Sequence, residues 1–214
     1  MRVVLMGPPG SGKGTQATRI AEKLNVQAVS PGDLFRDQLG RGTELGRLAQ
    51  KYMEKGAYVP DDVTIKMVME WIEAPEQSGG FILDGFPRTL AQAEALDEAT
   101  AEVGGIDTVL YIKVGEDQLV YRLSRRWLCR ICQTTFNEQT SPPGIEGICD
   151  SCDGDLYQRE DDKPAAVRTR IQVYASETSP VVNHYRECGK LVEVDGEGPI
   201  ESVGQVLEAA VASL

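Results

Sequence analysis

An α/β fold, with a parallel sheet covered by helices on both faces, is predicted by three features of the sequence. Short β-branched runs alternate with helical stretches, a glycine-rich turn joins the first run to the first helix, and two segments break the alternation without starting a second core. The first run is RVVLMG, Arg2 to Gly7, and the helix after the turn is KGTQATRIAEKL, Lys13 to Leu24. Its apolar positions Ala17, Ile20, Ala21 and Leu24 fall on one helical stripe. Further buried-strand runs are VQAVS (26–30), GFILDG (80–85), DTVLYIKV (107–114) and KLVEVDG (190–196). The stretch DDVTIKMVMEWIEAP predicts a helix with Asp61 or Asp62 as its cap and Pro75 as its stop. Thr64, Met67, Val68, Trp71 and Ile72 form its apolar stripe. From Pro31 to Pro60 helix follows helix with no strand between, which predicts a small helical insertion. From Trp127 to Gln158 the chain is rich in Gly, Pro and Thr and holds four of the five cysteines.

The formal net charge of -11 speaks against a diffuse basic surface for nucleic acid, so clustered arginines carry information about an anionic ligand. No run approaches the roughly 18 apolar residues of a membrane span. The opening MRVVLMGPPG turns to glycine and proline too soon for a signal-peptide core, which predicts a cytoplasmic protein with reduced cysteines and no membrane partner. In that setting a double CxxC means metal before disulfide. Cys129, Cys132, Cys149 and Cys152 have the spacing of a tetrahedral Cys₄ zinc site, closed to other ligands and therefore structural.

The turn GPPGSGKGT, Gly7 to Thr15, matches Gly-x4-Gly-Lys in its required strand-to-helix context, which identifies the sheet as a P-loop core. Backbone N–H groups of such a loop surround phosphate oxygens, the helix start adds its positive end, and Lys13 reaches across the phosphates. A glycine, Gly14, follows the lysine, and the hydroxyl comes one place later at Thr15, which favours magnesium held through water. Asp84, at the end of the third core strand, is placed to hold such a water shell. Beyond it Gly85 allows close approach, Arg88 offers a phosphate fork and Gln92 offers a donor and an acceptor for a purine edge.

With GPPGSGKGTQ, GDLFR, DGFPRTLAQA, RLSRR, REDD followed by an arginine eleven places on, and VDG, all in order along nearly the whole chain, the sequence resembles the adenylate kinase family. The double CxxC is similar to the long lid of its zinc-containing bacterial members. The resemblance implies a P-loop core over 1–29, 60–125 and 160–214, an NMP-binding insertion over 30–59 and a zinc-binding lid over 126–159. It implies reversible transfer from MgATP to AMP, giving two ADP, by a monomer. Gly10, Ser11, Gly12, Lys13, Gly14 and Thr15 would hold ATP phosphates, with Arg122, Arg126, Thr135, Phe136 and Gly198 elsewhere around ATP. Pro31, Arg36, backbone from Ala57 through Tyr58 to Val59 and from Gly85 through Phe86 to Pro87, Arg88 and Gln92 would form the AMP site. Arg159 and Arg170 would meet phosphates from the lid hinge and the next helix, and Lys13, Arg88, Arg126, Arg159 and Arg170 would be catalytic. Pro31 stands where the family has a threonine that helps to hold AMP, and Gly198 where it has a bulkier residue.

This residue set suits phosphoryl transfer, in which the acceptor phosphate is already an anionic nucleophile and catalysis is charge neutralisation and alignment. The lone histidine, His184, is predicted to be structural, without an acid-base companion. Asp161 or Asp162 is predicted to cap a helix with Pro164 in its first turn, and a helix reaching back to Arg159 would put Arg159 and Arg170 on one face. A kinase for UMP, CMP or GMP is the alternative enzyme, and a nucleic-acid-binding zinc ribbon the alternative outside enzymes.

Overall fold

The computed structural model describes residues 1–213. Five parallel strands, β1 (Arg2–Met6), β2 (Gln27–Val29), β3 (Phe81–Asp84), β4 (Thr108–Lys113) and β8 (Leu191–Asp195), form one sheet in the order β2-β3-β1-β4-β8. Val4 lies opposite Leu83 on one side and Val109 on the other, so β1 runs through the centre. Alternation along the strands divides the core into two layers. Val4, Met6, Leu83 and Val109 face one layer, packing with residues of α4 (Asp61–Ile72), α5 (Leu90–Thr100) and α8 (Ser179–Glu187). Val3, Leu5, Ile82, Leu110 and Ile112 face the other, under α1 (Lys13–Leu24) and α9 (Ile200–Ala212).

Sheet order positions the site. The connection from β1 passes over one face by α1, and that from β3 over the opposite face by α5, so the crevice opens between the carboxyl ends of β1 and β3. The insertion is two helices, α2 (Pro31–Gly40) and α3 (Glu44–Met53), as its sequence predicts. Each has a true side-chain cap: Ser30 accepts from the Asp33 N–H and Thr43 from the Gly46 N–H. Phe35, Ala49, Val59 and Met67 give it a small core of its own, closed by α4.

Four expectations need correction. Helix α4 is capped by neither Asp61 nor Asp62; Pro60 takes the cap position, and the Asp61 carboxylate instead accepts from Thr89 Oγ1 at 2.8 Å and Gln92 Nε2 at 2.6 Å, tying α4 to the start of α5. Helix α7 (Pro164–Val173) begins behind Lys163, without a capping side chain, and does not reach back to Arg159. Asp161 and Asp162 lie in a 3₁₀ turn, Glu160–Asp162, and pair with arginines. His184 does have an acidic companion, because its Nε2 lies 2.8 Å from Asp97 Oδ2 and joins α8 to α5.

The cysteine segment folds as a three-stranded antiparallel sheet in the order β6-β5-β7, built from β5 (Arg126–Cys129), β6 (Thr135–Asn137) and β7 (Leu156–Tyr157). It follows α6 (Glu116–Ser124), whose last carbonyls lack helical partners. Groups of this segment supply them: Asn137 Nδ2 donates to the Arg122 carbonyl, Gln158 Nε2 to that of Ser124, and the Glu138 N–H to that of Arg125. Among the described residues no helix is long and apolar enough to cross a membrane.

Candidate active site

A cleft of about 1810 Å³ runs along the carboxyl edge of the sheet, between the helical insertion and the cysteine-bearing segment. The loop from Gly7 to Gly12 forms its floor. A Cβ on Gly7 would stand 2.6 Å from the Ile112 carbonyl, and Gly12, the cap residue of α1, has a φ of 97°. Both positions therefore call for glycine. Lys13 Nζ donates to the Gly7 and Pro8 carbonyls at 2.8 and 3.0 Å, which folds its side chain back over the loop. Ser11 Oγ is buried without a partner among the described residues.

Of the residues expected to contact nucleotides, Gly10 to Thr15, Pro31, Arg36, Ala57 to Val59, Gly85, Pro87, Arg88, Gln92, Arg122, Arg126, Thr135, Phe136, Arg159, Arg170 and Gly198 all line this cleft, as does Asp84. Phe86, expected to offer only its backbone, has its side chain fully buried in the core beneath α5. Gln92 is buried and partly engaged, since its Oε1 accepts from the Arg88 N–H at 2.8 Å and its Nε2 donates to Asp61. One N–H and one lone pair of the amide stay uncommitted.

Lys13 and six arginines line the cleft, and carboxylates hold several of them in place. Arg126 grips Asp162 through two parallel bonds, Nε at 2.8 Å and Nη2 at 2.6 Å. Arg170 Nη1 reaches Asp162 at 2.9 Å and Asp161 at 3.1 Å. Arg36 pairs with Asp33 at 2.5 Å. The Asp162 carboxylate is fully buried, so it is stable only as the shared partner of two guanidinium groups. Burial pushes the Arg126 guanidinium down, but Asp162 outweighs that and leaves it above its ordinary range. Arg159 has no comparable partner: burial, then the neighbouring Arg36 and Arg126, bring it down to about 10, and its Nε lacks a hydrogen-bond partner. A buried unpaired cation beside two others is a site that lacks an anion.

At the cleft base Lys13 and Asp84 face each other. Burial lowers Lys13 to about 8 against the pull of Asp84, and burial raises Asp84 against the pull of Lys13. A phosphate between the loop and Lys13 would restore the charge on the amine. Asp84 ends β3, and its Oδ2 lies 3.4 Å from where a Cβ on Gly14 would stand, so the carboxylate borders the loop.

At the other end Arg122 Nη2 donates to the Gly196 carbonyl at 3.0 Å, which joins α6 to the turn holding Gly198. Sequence reasoning missed Tyr121, Tyr174 and Thr178, which also line the cleft; nothing in their spacing marks them, because tertiary packing brings them there.

The four cysteine sulfurs lie within 4.8 Å of one another, with Cys129 to Cys152 and Cys132 to Cys152 at 3.4 Å and Cys132 to Cys149 at 3.5 Å. Four sulfurs at about 2.3 Å from a tetrahedral ion would stand roughly 3.8 Å apart, so the cluster fits zinc. Backbone N–H groups of Ile131 and Ser151 point at Cys129 and Cys149 sulfurs, the arrangement that stabilises thiolates.

Comparison with known proteins agrees with this geometry. A family model described as adenylate kinase matches residues 5–190. A relative named adenylate kinase from Archaeoglobus fulgidus is 46% identical over 100% of this chain and 99% of its own length. Its namesake from Methanocella arvoryzae is 44% identical over 100% of both chains. One from Streptomyces coelicolor is 47% identical over 95% of this chain and 94% of its own.

Proposed function

The chain belongs to the adenylate kinase family and makes two ADP from ATP and AMP, and on that premise we propose how its residues divide the work. Gly10 to Thr15 hold the donor phosphates, Lys13 spans the group in transfer, and Arg122, Thr135, Phe136 and Gly198 border the ATP nucleoside. Arg36 and Arg88 take the AMP phosphate between the helical insertion and the core, with Ala57 to Val59, Gly85, Pro87 and Gln92 around its nucleoside. Arg126, Arg159 and Arg170 neutralise charge on the transferring phosphoryl group. The observation that carries this division is Arg159, which lines the same cleft as Arg36 and Arg126 but, unlike them, has no carboxylate partner and a buried Nε without a hydrogen bond among the described residues.

No proton transfer by a side chain is required, because the acceptor is an anionic phosphate oxygen. His184 lies outside the cleft and serves packing. Magnesium accompanies ATP, with Asp84 holding its water shell, and supplies charge neutralisation at the phosphates. Residues 30–59 act as the AMP-binding unit and residues 126–159 as a lid over ATP, a unit whose Cys₄ set would hold zinc as a structural staple. As the resemblance to the family implies, the protein is read as a cytoplasmic monomer.

A coupled assay of ADP formation tests the division. In the Arg88→Ala variant kcat/KM for AMP falls on the order of a hundredfold or more, while KM for ATP changes little. Equal losses toward both nucleotides would refute the assignment of Arg88 to the acceptor.

A further inference from the structure

We propose that the side chain of Tyr58, locked by Thr178, is a positioning residue that aims Arg88 at the acceptor phosphate. The inference rests on the assignment of Arg88 to AMP, and nothing in that assignment involves either hydroxyl group.

Three segments far apart in sequence close a ring here. Thr178 ends a π-helical turn, Tyr174–Thr178, wedged between α7 and α8, and its side chain is buried. Its Oγ1 donates to the Arg88 carbonyl at 2.9 Å and lies 2.9 Å from Tyr58 Oη. A threonine hydroxyl has one hydrogen, and a carbonyl can only accept, so Tyr58 must donate to Thr178. The Tyr58 ring then lies under the Arg88 guanidinium, 5.0 Å from its carbon to the ring centroid.

Every other handle on Arg88 is also fixed. Its N–H donates to Gln92 Oε1 at 2.8 Å and its Nε to the Gly85 carbonyl at 2.6 Å. Only the two terminal nitrogens have no hydrogen-bond partner among the described residues, and these form the edge that a phosphate would meet. A flexible arginine loses side-chain entropy when it binds; one already stacked and bonded has lost it beforehand, so the Tyr58 side chain strengthens the acceptor site through Arg88, apart from any contact of the Tyr58 backbone with the nucleoside. Tyr58 belongs to the loop between α3 and α4, so the ring also ties the insertion to the core beside the turn that follows Arg170.

The test uses the intact enzyme and reads equilibrium dissociation constants for AMP and ATP together with the thermal midpoint. Tyr58→Leu raises the AMP constant by about tenfold and leaves that for ATP within twofold. Thr178→Val acts in the same direction, Thr178→Ser restores AMP binding, and the double variant is no weaker than the worse single one, because both act through one ring. AMP binding within twofold of wild type in folded Tyr58→Leu, equal weakening of ATP, or additive effects would overturn the proposal. Should Thr178→Val fail to fold, half-exposed Tyr58 still decides through Tyr58→Leu. Arg88→Ala separates the two layers of inference. If it loses AMP binding while Tyr58→Leu does not, the positioning role alone is wrong; if it keeps AMP, the assignment of Arg88 falls as well.

Discussion

Lys13 shows how a single residue carries both a cost to the fold and the function. Its ordinary value is 10.5, and burial lowers it to about 8 in the folded chain. Because the fold releases this proton sooner than the unfolded chain does, the penalty of a charged buried amine is fully present below about pH 8. It is relieved between about 8 and 10.5. Activity moves the opposite way, since the neutral amine no longer attracts phosphate. We expect kcat/KM for ATP to decline as pH rises through about 8, with kcat holding to higher pH because bound phosphate keeps the amine charged. Profiles of both constants check this, and a kcat/KM flat through that range would contradict it. Lys13 and its glycine-rich loop were legible in the sequence because the spacing of the motif and its strand-to-helix setting are local, even though Ile112 and Asp84 reach the loop from afar. Asp161 and Asp162 were not. Beside Pro164 they look like caps, and only the folded chain brings Arg126 and Arg170 to them.

At the scale of elements, that acid pair joins β5 to α7, and Asp162 is its fully buried centre. Removing one partner of a buried ion pair leaves uncompensated charge, so Asp162→Ala should destabilise by about 3 kcal/mol or more. In a chain of this size that lowers Tm by roughly 6 °C or more; calorimetry giving an unchanged Tm would refute the role. The alternation of strands and helices and the two-helix insertion were readable from period and breakers. The ends of α4 and α7 were not, because a carboxylate near a helix start can cap it or reach across to a neighbour, and sequence spacing does not choose. Strands β5 to β7 stayed hidden for a related reason. They are two to four residues long in a Gly- and Pro-rich segment, and their core is largely the cysteine cluster itself, with Phe136, Trp127 and Leu156 around it.

For the whole molecule, the sequence implied a parallel sheet but not its order. The β2-β3-β1-β4-β8 arrangement, which opens the cleft between β1 and β3, follows from right-handed crossovers and from how two apolar layers share the helices. The cysteine-bearing segment has the smallest buried cluster of its own, Cys129, Phe136 and Cys149, and metal binding contributes roughly 10–16 kcal/mol to such small folds. Stripping zinc should therefore lower the thermal midpoint far more than it lowers turnover at moderate temperature; apo and holo protein melting together would refute the staple. What unites the segments is fixed positive charge: Lys13 from the floor, Arg36 from the insertion, Arg88 from the core, Arg126 from the lid, Arg159 and Arg170 from its return. In the proposed division of roles this charge would stabilise the transferring group, and holding two substrates in line can supply on the order of 7–11 kcal/mol of barrier reduction without any acid-base group. The most direct test is the single-turnover rate of ADP formation at saturating MgATP and AMP, followed from about pH 6.5 to 8 in wild type and in Lys13→Met. Fixed-charge catalysis predicts rates nearly independent of pH in both proteins, with the variant slower on the order of a hundredfold or more. A bell-shaped wild-type profile in that range, or a variant within tenfold of wild type, would contradict it.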